Sequence, residues 1–158
     1  MGHTINICIL NWNGGDDLFA CINSIQKSKS DEYKITVIDN NSSDNSVDSL
    51  PSTIKVVKLN KNFGFGVGYN EGISKSLNED DYLVLLNYDT IVAPDFVESI
   101  IQAVSEKGKQ YIYGAKILFH DKPNLIWYGG GALNLSAGVI SHRLLRARDT
   151  SKVERKST

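Results

Sequence analysis

The sequence predicts an α/β domain built on a mostly parallel sheet flanked by helices, and three observations carry that expectation. Apolar runs of strand length alternate with segments of helical periodicity along most of the 158 residues, the order of repeated βα units. Most of those runs are nearly continuous in apolar residues, as strands covered on both faces must be. They also stop on amides or carboxylates: Thr4–Leu10 at Asn11, Ile35–Ile38 at Asp39-Asn40, Ile54–Leu59 at Asn60, and Leu85-Leu86 at Asn87-Tyr88-Asp89. In an open parallel sheet, ligands sit in the crevice outside the carboxyl ends of the strands. That edge therefore reads as a polar-ligand site, with Asp89 its best metal ligand.

After the first strand, Asp16 or Asp17 can cap a helix whose apolar stripe is Leu18, Phe19, Ile22 and Ile25. Strand two is Lys34–Asp39, and the polar cluster Asn40–Ser46 turns the chain into a short helix ending near Pro51. Strand three is Ile54–Leu59. The next helix sets Phe65, Tyr69, Ile73 and Leu77 in an i+4 row, and strand four is Tyr82–Leu86. Pro94 suits the first turn of a fourth helix, with Phe96, Ile100, Ile101 and Val104 facing inward and Gly108 as its stop. Strand five is Tyr111–Ile117. Beyond Phe119 the pattern changes, and Trp127-Tyr128-Gly129-Gly130-Gly131 leads into short runs that read as a C-terminal β-hairpin.

The length supports one domain with a buried core, taken as residues 1–141 followed by a basic, flexible tail at 142–158. No apolar run approaches the roughly 20 residues that span a bilayer, and no signal peptide is legible, so the expected compartment is the cytoplasm. Cys8 lies in the first strand and Cys21 on the first helix. Their spacing makes no metal site, and both read as small buried hydrophobes. The net charge of −1 hides an asymmetry: six Lys/Arg face two acidic residues from Arg143 to Thr158, a balance of +4 that leaves −5 elsewhere. Such a tail is usually solvated, or can touch the inner face of an anionic membrane or an acidic partner. Nucleic-acid binding is disfavoured, because the body is acidic and shows no basic, aromatic-studded strand.

Four motifs carry chemistry. In Asn11-Trp12-Asn13-Gly14-Gly15, Trp12 can stack on a nucleobase or pack on the helix. Asp39 can accept from a base imide or from a ribose hydroxyl, while Asp44 reads as a helix cap. The run Asn60–Asn70 holds Gly64, Gly66 and Gly68 ahead of a helix, either for backbone approach to a phosphate or for close helix–sheet packing. Its spacing and its place after the third strand rule out the dinucleotide fingerprint. In Asn87-Tyr88-Asp89-Thr90, Asp89 can hold a divalent cation through one oxygen, with diphosphate and water completing the shell. Capping the helix that begins near Pro94 is the alternative use of that carboxylate.

Taken together, the order and spacing of these motifs resemble the family 2 glycosyltransferases of the GT-A fold, especially the rhamnosyltransferase-like branch. The matching segments are Asn11-Trp12-Asn13, Ile38-Asp39-Asn40-Asn41-Ser42-Ser43-Asp44, Asn62–Ile73 and Leu85-Leu86-Asn87-Tyr88-Asp89-Thr90, with Gly114–Ile117 and Gly129–Gly131 as later landmarks. The resemblance implies a UDP- or dTDP-sugar donor, Mg²⁺ or Mn²⁺, and inverting transfer to a saccharide or lipid-linked acceptor in cell-surface polysaccharide assembly. By the same resemblance Trp12 lies against the pyrimidine, Asp39 reads its imide, and Asn62, Gly64, Phe65 and Gly66 run along the nucleoside. Asn70 heads the helix beneath the donor, and Asp89 is the metal ligand; Asn11 and Asn87 are counted with them as candidate nucleotide-sugar-binding residues. Trp12 stands where the family has Tyr, and Tyr88 where it has Pro.

The family's general base comes from a Glu-Asp pair well after the glycine run, and nothing here matches it. Asp121 falls early, in a turn, while Asp149 and Glu154 lie in the basic tail. The expectation is a donor-binding half, inactive or nearly so alone, whose uncovered apolar surface can drive self-association. Two rivals stand beside it. A non-catalytic nucleotide-binding or interaction module is one. A sugar nucleotidyltransferase is the other, and Asn13–Asp17 counts against it by lacking the Lys or Arg that grips a triphosphate.

Overall fold

Ile5–Asn11 forms β1, and every one of its seven residues is buried. A strand with helices on both sides has no solvent face, which explains the absence of polar alternation in its sequence. The computed structural model describes residues 4–76, 82–108 and 110–150. They fall into two units, Met1–Gly108 and Lys109–Thr158.

In the first unit, β1 is followed by α1 (Gly15–Gln26), β2 (Tyr33–Asp39), β3 (Lys55–Lys58), α2 (Phe65–Ser74), β4 (Tyr82–Asn87) and α3 (Phe96–Lys107). The four strands form one sheet in the order β3-β2-β1-β4, and all three pairings are parallel. In register, Asn11 lies opposite Asp39, and Leu10 opposite Asn87. The polar strand ends thus share one edge.

Two apolar clusters glue the layers. Ile5, Ile7, Ile9, Ile35 and Val37 pack with Leu18, Cys21, Ile22 and Ile25 of α1 and Val97 of α3. Cys8, Leu10, Ile38 and Leu59 pack with Tyr69 of α2 on the other face. Each fully buried Ile or Leu contributes about 1.5–3 kcal/mol. Close packing of α2 requires glycine at one point, since a Cβ on Gly72 would stand 2.5 Å from the Ile38 side chain.

Several elements depart from the sequence reading. Asp16 and Asp17 sit in the first turn of α1, whose N-cap is Gly14; there they complement the helix dipole. Residues 46–49 make turns with i→i−3 backbone bonds such as Asp48 N to Asn45 O, and the short helix expected before Pro51 does not form. Pro94 precedes α3, whose N-cap is Asp95 and whose C-cap is Gly108 at φ 87°. Phe65 points outward from α2, leaving Tyr69 as the buried member of the i+4 row, and Leu77 lies outside the described residues. Asp89 caps no helix, being six residues ahead of the α3 N-cap.

The second unit holds two antiparallel pairs, β5 (Ile117–Phe119) with β6 (Lys122–Tyr128) and β7 (Gly131–Asn134) with β8 (Val139–His142). The strand expected over Tyr111–Ile117 is reduced to its last residue, which starts β5. Tyr111, Ile112 and Tyr113 are exposed and not in a strand. Among the described residues, no helix is long and apolar enough to cross a membrane.

Candidate functional site at the carboxyl edge of the sheet

β1 has β2 on one side and β4 on the other, so the strand order reverses direction beside it. Such a switch point leaves a crevice at the carboxyl ends, because the connecting chains diverge to opposite faces. Asn11 ends β1 with Trp12 just beyond it, and Asn87 ends β4 with Asp89 two residues on, all at that edge of the sheet. Trp12 is 50 % exposed and Asn87 and Asp89 are exposed. Asp39 is buried, and its Oδ1 accepts the Ser42 N–H at 3.1 Å, leaving one carboxylate oxygen outside that turn.

Asn11 is fully buried, and its amide donates to Ser42 Oγ at 3.0 Å and Ser46 Oγ at 2.9 Å. The β1 and β2 loops are stitched further by Asn13, whose N–H donates to Ser42 Oγ and whose Oδ1 accepts the Ser43 N–H. Asn13 holds φ at 53°, a left-handed conformation that Asn tolerates. Asp44 does cap a helix, but not one in its own segment. Its Oδ2 accepts the Gly15 N–H at 2.9 Å and so caps α1 from the loop after β2. Hydrogen bonding, chiefly from Ser46, holds the Asp44 carboxyl below the usual carboxylate range. Gly14 is wedged between Asn11 Oδ1 and the Tyr88 ring, where any Cβ would collide. The Tyr88 ring thereby braces the β1 loop, a use that Pro at this position could not supply.

The glycine run is held by a residue that the sequence reading did not single out. Asn40, buried at the end of β2, donates to Asn62 Oδ1 at 3.0 Å and to the Gly64 carbonyl at 3.1 Å. Its own Oδ1 accepts the Phe63 N–H at 2.9 Å. Asn62 Oδ1 also accepts the Gly64 N–H, so that oxygen is turned into its own loop. Gly64 adopts φ 73°, open to glycine at little cost. Gly64, Phe65, Gly66 and Asn70 are all exposed, and the first turn of α2 holds no acidic residue. Tyr69 below them donates its hydroxyl to the Leu86 carbonyl at 2.8 Å, tying α2 to β4. Burial pushes its phenol up to about 12, so it stays a donor at neutral pH.

The turn carrying Asp89 is supported from beneath by α1. Cys21 Sγ donates to the Asn87 carbonyl at 3.6 Å. The Val92 N–H donates to Ser24 Oγ at 3.0 Å, and that hydroxyl donates in turn to the Cys21 carbonyl. Ser28 reaches Glu98 Oε2 at 3.1 Å. Burial pushes the Cys21 thiol up to about 11, so the group beneath the turn is neutral. Asp89 itself makes no hydrogen bond or ion pair among the described residues. An exposed carboxylate with free oxygens suits a cation that takes its other ligands from phosphate and water. A protein-built cage is excluded among the described residues, which contain no cluster of three His, Cys, Asp or Glu able to hold a metal.

Elsewhere, Asp149 pairs with Lys116 at 2.6 Å and Asp121 stands exposed between β5 and β6; Glu154 lies outside the described residues. A shallow cavity of about 270 Å³ lies among Gln26, Tyr33, Lys34 and Thr53. It opens at the amino end of β2, away from the carboxyl edge where ligands of such sheets bind.

The sequence model of the family described as Glycosyl transferase family 2 matches residues 6–153. Among curated proteins, Glycosyltransferase GlyG of Streptococcus pneumoniae serotype 4 is 26 % identical over 120 residues, covering 72 % of this chain and 39 % of the relative. Among solved structures, S. aureus TarS 1–349 in complex with UDP superposes with a TM-score of 0.59 at 16 % identity, covering 74 % of this chain and 39 % of that one. TarS 1–349 in complex with UDP-GlcNAc gives 0.58 at 17 % identity, with 74 % and 38 % covered. These likenesses establish the fold, and the chain spans about two fifths of the length of these relatives.

Proposed function

The chain belongs to glycosyl transferase family 2, and on that premise we propose that it is the donor-binding part of an inverting glycosyltransferase using a UDP- or dTDP-linked sugar. The observation that supports this reading is the switch point between β1 and β4, with the exposed Trp12 following one strand and the exposed Asp89 the other. TarS, solved with UDP and with UDP-GlcNAc, favours a uridine donor. In this reading Trp12 stacks on the base, and the free oxygen of Asp39 accepts from its imide. The loop from Asn62 to Gly66 follows the nucleoside, with α2 and Asn70 beneath the donor and Asn11 and Asn87 shaping the floor. Asp89 would hold Mg²⁺ or Mn²⁺, which when bound neutralises charge on the departing diphosphate.

The acceptor would be a saccharide or lipid-linked glycan of cell-surface polysaccharide assembly, met in the cytoplasm or at the inner face of the membrane through the basic tail. Exposed Leu83 and Leu85 on β4 support self-association. Inversion is one displacement, in which the acceptor oxygen bonds to the anomeric carbon as the diphosphate leaves. It requires a base near the acceptor hydroxyl, and we assign none in this chain. Because Asp149 is committed to Lys116, a non-catalytic nucleotide-binding module is the second reading.

Calorimetric titration with UDP and with dTDP, each with Mn²⁺ and with EDTA, tests the donor site. Metal-dependent binding is expected, with the ratio of affinities identifying the base. Binding of neither nucleotide would sink the proposal, and sugar transfer to an added acceptor glycan would exclude the second reading.

A further inference from the structure

Outside the donor site, the largest anomaly is the β7–β8 hairpin. Every residue from Gly131 to His142 is exposed, and the exposed side chains include Leu133, Leu135, Val139 and Ile140, with Leu135 83 % accessible. Leu133 lies directly opposite Ile140 and shares its face, while Val139 lies on the other face opposite Asn134. No Asp, Glu, Lys or Arg occurs from Pro123 to His142, and Arg143, Arg146 and Arg148 then follow within six residues, all exposed. The Arg143 N–H donates to the Gly130 carbonyl at 2.7 Å, which fixes Arg143 at the base of the hairpin, while Arg146 and Arg148 follow beside Ile126 and Leu125 of β6.

We propose that the β7–β8 hairpin is a shallow membrane anchor, its apolar tip entering the headgroup–acyl boundary of an anionic bilayer while the arginines at its base meet lipid phosphates. Leu133 and Ile140 project from one face of the ribbon, Val139 from the other and Leu135 from the tip, so a flat protein surface would cover only part of this apolar set, whereas lipid surrounds a tip. Four cross-strand pairs at about 3.3 Å per residue set the tip roughly 13 Å from the base. That length matches burial of about 5–10 Å with cations left at the phosphate level. Deeper insertion is opposed by the unpaired edges of a two-stranded ribbon, which need water or headgroups as partners. The inference is independent of the donor-site reading.

The test is flotation of the full chain with vesicles of phosphatidylcholine alone and of phosphatidylcholine mixed with phosphatidylglycerol, at low and high salt. Wild type is expected to float with the anionic vesicles and to lose much of that binding in high salt. Leu135→Asp and Ile140→Asp, whose sites are exposed and whose fold is checked by circular dichroism, should each weaken it about tenfold or more. Leu135→Trp should retain it. If wild type ignores anionic vesicles, the proposal falls. It also falls if both Asp variants bind like wild type while a Lys152→Ala, Arg155→Ala, Lys156→Ala triple variant does not bind, because the tail alone would then act. Vesicle indifference with a dimer that Leu135→Asp dissociates would replace the membrane by a second copy.

Discussion

Asp89 stands exposed in the turn after β4, outside the hydrogen bonds that hold the surrounding loops, so its removal should leave the scaffold untouched. Asp89→Ala is expected to lower UDP affinity in Mn²⁺ to the value seen in EDTA, a loss of about tenfold or more for one charge-assisted ligand, with an unchanged melting curve. An affinity in Mn²⁺ equal to wild type would remove it as the metal ligand. Cys21 beneath the turn gives a pH dependence whose sign follows from burial. Its thiol ionises near 9.0 when exposed and near about 11 in the folded chain, so the unfolded state loses its proton first. The contribution is therefore complete below pH 9.0 and lost as pH rises through about 11. Cys21→Ala should show a shallower fall in stability over that window in denaturant titrations, although its stability at neutral pH is lower because a buried group is deleted. The polar residues at the ends of the apolar runs, and Asp44 as a helix cap, were legible in the sequence. Their partners were not, because Asn40 binds Gly64 and Asp44 binds Gly15, contacts that only the folded sheet brings near.

At the scale of elements, α1 is both a wall of the core and a support for the β4 turn. Ser24 is the buried joint, accepting the Val92 N–H and donating to the Cys21 carbonyl. Ser24→Ala strands the Val92 N–H and should cost about 1–3 kcal/mol in chemical denaturation; a loss near zero would show that water replaces the hydroxyl. Asp44→Ala removes the cross-loop cap of α1 and should cost about 1 kcal/mol. The same cap is present above the ordinary carboxylate range and is lost as pH falls through the depressed Asp44 value. Strands β1 to β4 and all three helices were readable from periodicity, since each buries a face. The helix expected before Pro51 did not form, and the polar cluster ahead of it is tied to the β1 loop instead: Ser42 and Ser46 bind Asn11, and Asp44 binds Gly15. The fifth strand failed differently, as Tyr111–Lys116 has an apolar sequence but takes no ladder partner that period alone could reveal.

At the scale of the whole molecule, function and fold are unevenly distributed along the chain. All ten candidate donor-site residues, from Asn11 to Asp89, lie within Met1–Gly108, as do both buried clusters that hold the sheet between its helices. The only side chain of the second unit buried to that degree, among the described residues, is Ile126. A fragment ending at Gly108 is therefore expected to melt cooperatively and to keep metal-dependent UDP binding at an affinity indistinguishable from the full chain. Gly108 is itself a natural stop, since its left-handed φ of 87° already ends α3. The same fragment should lose all flotation with anionic vesicles, because the hairpin and its arginines are gone while β1 to β4 remain. Calorimetry and flotation on one preparation thus separate the two surfaces. Loss of UDP binding in a fragment that still melts cooperatively would mean that the second unit contributes to the donor site, and the crevice at the β1–β4 switch would no longer suffice to explain binding.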